Sequence, residues 1–106
     1  MAVNLETVND LIQQYVTDVK KAMPIDKVYL YGSYAKGIQQ ENSDVDLCFF
    51  SQTFETRQPL DVLTELFFLK IKYDKNILIE PNAFPTSELY NDNPFVKEIL
   101  RTGREI

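Results

Sequence analysis

The sequence contains no histidine. That absence excludes Ser-His and Cys-His nucleophilic catalysis, H-E-x-x-H metal sites and histidine general bases. Any chemistry here has to run on carboxylates, hydroxyls, lysine, arginine, metal ions or backbone groups. Cysteine is nearly missing as well. The single Cys48 sits in an apolar segment, so one chain holds no disulfide framework, and a small buried hydrophobe is the expected role. No apolar run approaches the roughly 18 residues that a membrane span requires. The first residues, MAVNLETVNDLIQQ, lack the charged start and apolar centre of a signal peptide. A cytoplasmic location without membrane attachment is therefore expected. Basic residues are the minority, 11 against 16 acidic ones, for a net charge of −5. Such a surface repels nucleic-acid phosphates, whose binding draws on clustered Lys and Arg, so no direct nucleic-acid binding is expected.

What is present reads as a globular chain. Its 106 residues are 44% hydrophobic and 25% charged, a balance that fits one domain over 1–106 with a real core. Leu5, Val8, Leu11, Ile12, Tyr15, Val16 and Val19 recur at three- and four-residue spacing, which predicts an amphipathic helix over 5–22. Asn4 is its expected N-cap, and Met23-Pro24 its stop. A strand is expected over 27–31, ended by Gly32, then a turn of helix at 34–37, a polar loop over 38–42 and a central strand over 43–50. Gln58-Pro59 opens a second long helix with Leu60, Leu63, Leu66 and Phe67 on one face. A third strand is expected over 76–81. Asp92-Asn93-Pro94 then caps a short helix that Gly103 closes. The alternation of helix and strand with short connections predicts an α/β or α+β fold, a small mixed sheet flanked by helices. The aromatic residues Phe49, Phe50, Phe54, Phe84, Tyr90 and Phe95 read as core, with an interface as the other use.

Two stretches carry chemistry. The first is the strand end Gly32-Ser33. Gly32 and Gly37 have P-loop spacing, but Ile38-Gln39 stands where Lys-Ser/Thr is needed, and G-x-G-x-x-G is absent too. A glycine there permits a tight turn and close ligand approach, and helix-start N–H groups with the Ser33 hydroxyl suit phosphate oxygens. The second is Asp44-Val45-Asp46, leading into Leu47-Cys48-Phe49-Phe50. Alternation along a strand puts Asp44 and Asp46 on one face. Two carboxylates that close repel unless a cation lies between them, and aspartate is a poor strand former. A divalent metal held by hard oxygen ligands, such as Mg²⁺ carrying nucleotide phosphates, explains the pair. Glu80, ending the apolar Ile77-Leu78-Ile79, is the candidate third carboxylate, with Asp74 as its competitor.

Together these residues resemble a known signature. Gly32-Ser33, ten residues, then Asp44-Val45-Asp46 is similar to the motif of the polymerase-β-type nucleotidyltransferase superfamily. Gly32-Ser33-Tyr34-Ala35-Lys36-Gly37 and Ser43-Asp44-Val45-Asp46-Leu47 resemble its small prokaryotic branch, the minimal nucleotidyltransferases. The resemblance implies a nucleotidyltransferase-like fold and Mg²⁺-dependent transfer of a nucleoside monophosphate, AMP from ATP, to an acceptor hydroxyl. It implies that Asp44 and Asp46 bridge two Mg²⁺ ions roughly 3.5–4 Å apart, with Glu80 completing the set. In the family the third carboxylate is often an aspartate, so Glu80 departs from the pattern by one methylene. Gly32 and Ser33 would hold phosphates, helped by Lys36, where the family commonly carries a basic residue. Minimal nucleotidyltransferases are paired in many prokaryotes with a helical HEPN-domain protein, which implies a protein acceptor and the antitoxin role in a toxin–antitoxin pair. The alternative reading is a catalytically idle binding module that neutralises or scaffolds such a partner.

Overall fold

The structure is a computed structural model that describes residues 5–32, 44–74 and 77–106. The expected Asn4 cap, the turn at 34–37, the loop over 38–42, and Ser33, Lys36 and Ser43 lie outside the described residues.

The first helix, α1, is Leu5–Ala22 and ends before Met23-Pro24 as its sequence predicts. Val8, Ile12, Tyr15, Val16 and Val19 form its buried stripe. The strand β1 (Lys27–Tyr31) follows, then β2 (Val45–Ser51), the helix α2 (Pro59–Lys70), β3 (Ile79–Pro85), the helix α3 (Pro94–Thr102) and the two-residue β4 (Arg104–Glu105). Among the described residues these strands make one mixed sheet in the order β3-β2-β1-β4. β1 runs antiparallel to both β2 and β4, while β2 and β3 are parallel.

Both faces of the sheet are covered, which is why β2 is nearly continuous in apolar residues. One face carries Val28, Leu30, Val45, Leu47, Phe49 and Ile79 against α1 and α2. Tyr15 closes that layer edge-on to Phe49, its hydroxyl donating to the Leu66 carbonyl at 2.8 Å. The other face carries Cys48 and Phe50 against Val96 and Ile99 of α3, with Tyr29, Tyr31 and Phe84 at the margin. Asn93 caps α3, its side chain accepting from the Phe95 and Val96 N–H groups at 3.0 and 3.3 Å, and Pro94 takes the first turn.

Three expectations need correction. The third strand runs Ile79–Pro85 rather than 76–81, with Pro81 and Pro85 inside it. Its edge position allows this, because one side of an edge strand needs no ladder donor. Of the α2 face read as Leu60, Leu63, Leu66 and Phe67, Leu66 is buried and Leu63 packs against the core, but Leu60 and Phe67 are exposed and Val62 goes inward instead. The aromatics divide between two uses. Phe49, Phe50 and Phe54 are core, whereas Tyr90 and Phe95 are exposed.

Candidate functional site

The end of β1 meets the beginnings of β2 and β3 at one corner of the sheet. Asp46 has Tyr31 of β1 as its Cα partner on one side and Glu80 of β3 on the other. Residues facing each other across a ladder project to the same side, so Asp46 and Glu80 share a face with Tyr31. That face is the α3 side, but Asp46 lies two residues before the buried Cys48, and both Asp46 and Glu80 remain half-buried. Asp44, also half-buried, stands just outside the strand, next to Val45, whose N–H donates to the Leu78 carbonyl at 2.8 Å. The expected placement of Asp44 within the strand is thus off by one residue.

Gly32 borders the same corner. Its φ of +74° lies in the left-handed region, and a Cβ built there would collide with a carboxylate oxygen of Asp46. Glycine therefore lets the backbone lie directly against this carboxylate. Burial raises the Asp46 carboxyl above the ordinary aspartate value, and the negative charges of Asp44 and Glu80 push it in the same direction. Asp44, Asp46 and Glu80 are thus electrostatic neighbours. Asp74, the competing carboxylate, is engaged elsewhere: it accepts from Lys70 at 3.3 Å at the end of α2, on the Tyr15 side of the sheet.

Two residues that the sequence reading passed over complete the corner. Asn82 donates to the Tyr31 hydroxyl at 2.7 Å, reaching across β2 above Cys48. Burial pushes the Tyr31 phenol up to about 12, with Cys48, Asp46 and Glu80 adding to the rise and the Asn82 hydrogen bond opposing it. The signal was available: Asn82 follows Glu80 by two, so alternation places it on the carboxylate face. Cys48 is fully buried and its thiol is pushed up to about 12, which makes it an inert core residue as expected.

The donor set suits a hard divalent cation, since all three groups are oxygen ligands and their mutual repulsion is relieved by positive charge. Among the described residues, no three carboxylate or thiol groups are drawn together closely enough to enclose a metal ion by themselves.

Comparisons with known proteins bear on family and fold. The family model described as "Polymerase beta, Nucleotidyltransferase" matches residues 11–106. No curated protein matches. Among solved structures, a Sulfolobus solfataricus protein assigned as a nucleotidyltransferase superposes with a TM-score of 0.68 at 18% identity, over 91% of this chain and 76% of its own. A toxin–antitoxin structure with AMP-PNP gives 0.62 at 19%, over 91% and 69%. A mutant of the toxin–antitoxin MntA-HpeT gives 0.53 at 16%, over 97% and 71%.

Proposed function

Since the chain belongs to the polymerase beta nucleotidyltransferase family, we propose that residues 1–106 form a minimal nucleotidyltransferase that moves AMP from ATP to a hydroxyl of a partner protein. The observation that carries the reading is the register of the parallel pair, Asp46 opposite Glu80, with Asp44 and Gly32 at the same corner. The charged form of Asp46 is disfavoured by burial and by the neighbouring Asp44 and Glu80, and a bound cation would relieve it.

In this reading Asp44, Asp46 and Glu80 hold Mg²⁺. When bound, the metal supplies positive charge against the negative charge that develops during phosphoryl transfer. Asp46, fixed between β1 and β3, would be one of its ligands. Gly32 gives the nucleotide phosphates access to backbone N–H groups, with Ser33 and Lys36 as further phosphate contacts. Tyr31 stays protonated, its oxygen occupied by the Asn82 donor, so its own proton is available to a substrate oxygen. The acceptor hydroxyl attacks the α-phosphorus, the bond to the pyrophosphate oxygen breaks, and the hydroxyl proton passes to a site carboxylate such as Glu80.

The partner is the other half of the proposal. Two of the similar structures are toxin–antitoxin assemblies, one of them with AMP-PNP. The same arrangement here would make this chain the antitoxin, acting on a HEPN-like protein in the cytoplasm. Among the described residues no helix is long and apolar enough to cross a membrane. The test incubates the chain with Mg²⁺, α-labelled ATP and the protein encoded beside it. Label should appear on that protein and vanish with Asp44→Asn/Asp46→Asn. Neutralisation of the partner that survives in the folded double variant, without any label transfer, would replace this reading with the idle binding module.

A further inference from the structure

The helix α2 carries two apolar rows, and only one serves the core. Val62, Leu66, Leu69 and Tyr73 follow at i, i+4, i+7 and i+11 and pack inward. Leu60, Thr64, Phe67 and Ile71 repeat that spacing two residues earlier and face outward, the three apolar members being 74%, 40% and 61% exposed. Ile71 belongs to the row because its backbone is still helical, with φ −53° and ψ −42°. Phe68, also 74% exposed, widens the row. With Ala22, Leu69 and Ile71 it floors a groove of about 580 Å³, rimmed by Lys21 and Lys72. Scattered exposed apolar side chains need no explanation, but a contiguous set on one helix marks a contact surface. Alternating steps of four and three are the spacing one helix offers another.

The charges beside the row select the occupant. Asp61 and Lys72 stand eleven residues apart (72 − 61), about three helical turns, and hence on the same flank at opposite ends. Both are exposed, and Lys72 holds Asp18 at 2.9 Å while remaining open to a second carboxylate. In an antiparallel pair of identical helices each flank meets its own counterpart running the other way. Asp61 of one copy then faces Lys72 of the other, twice by symmetry. A parallel pair sets each flank against the opposite one, so Asp61 and Lys72 would not meet. We propose that the outer face of α2 docks a second copy of this chain, antiparallel, with Leu60, Phe67, Phe68 and Ile71 forming the seam. At a net charge of −5 two copies repel in general, so this local complementarity also fixes the register. The seam lies on the sheet face opposite Asp46 and Glu80, so pairing leaves the carboxylate corner open, and the inference does not depend on the transferase reading.

Sedimentation velocity of the full chain, from low to high micromolar concentration, tests it. A monomer–dimer equilibrium is expected, abolished by Leu60→Glu/Ile71→Glu with the circular dichroism unchanged, because both side chains are already in water. Asp61→Lys and Lys72→Glu should each weaken the dimer about three- to tenfold. Mixing these two single variants should restore it, since the heterodimer regains both opposite-charge contacts. A chain that stays monomeric throughout, a dimer indifferent to Leu60→Glu/Ile71→Glu, or a mixture no tighter than either single variant would each overturn the proposal. A heterologous protein captured on this face by a monomeric chain would do the same.

Discussion

At the residue scale the argument concerns a carboxylate with unfavourable surroundings. Asp46 is half-buried, faces Glu80 across the ladder and lies against the Gly32 backbone. Its carboxyl is raised by burial first and by Asp44 and Glu80 next. A carboxyl whose folded value lies above its unfolded one gives up stability as pH rises through that value, so at neutral pH the ionised Asp46 is a liability. Asp46→Asn should therefore raise the melting temperature of the metal-free protein by about 2–5 °C, on a scale where 1 kcal/mol is roughly 4–8 °C. Differential scanning calorimetry in chelator reads this directly, and a fall would mean that the carboxylate is structurally satisfied. Gly32→Ala should act in the opposite direction. The left-handed backbone costs about 1–2 kcal/mol for a residue with a Cβ, and the Asp46 carboxylate must swing away. Urea unfolding should show that loss, and nucleotide affinity should fall with it. Asp44, Asp46, Glu80 and Gly32 stood out in the sequence because aspartates and a glycine interrupt apolar runs. That Glu80 faces Asp46 was not legible, since the partner of a strand is not encoded locally. Tyr31 and Asn82 escaped notice because the bond joining them crosses a strand between residues far apart in sequence.

At the element scale, helices were legible and edges were not. α1 announced itself through a single buried stripe, and α3 through its Asn93 cap with Pro94. α2 is apolar almost all round, so periodicity gave its existence but not its inward face. β3 was displaced because prolines normally read as strand stops, a rule that an edge strand evades. β4 is too short to leave any pattern. Gly103 closes α3 with an extended backbone, and a Cβ there would press on the carbonyls of Ile99 and Leu30, which is how α3 turns tightly into β4. The two rows of α2 make a paired prediction. Leu66→Ala, inside, should cost about 2–5 kcal/mol, whereas Leu60→Ala, outside, should cost less than about 0.5 kcal/mol at concentrations where the chain is monomeric. Urea midpoints at unchanged slope distinguish them, and equal losses would place the wrong row in the core.

At the scale of the whole molecule, one sheet separates two tasks. The face under α1 and α2 supplies most of the core and turns an apolar helix surface outward. The face under α3 leaves one corner uncovered, and the acidic groups gather there. The chain belongs to the nucleotidyltransferase family, and on the proposed reading the acidic corner would hold a cation whose positive charge offsets both these carboxylates and the phosphates of a nucleotide. Calorimetric titration with a non-hydrolysable ATP analogue, with and without Mg²⁺, tests that claim most directly. The account predicts binding that requires Mg²⁺ and weakens at least about tenfold in folded Asp44→Asn/Asp46→Asn, a difference of about 1.4 kcal/mol. Binding that is equally tight without Mg²⁺, or unchanged in the double variant, would contradict it.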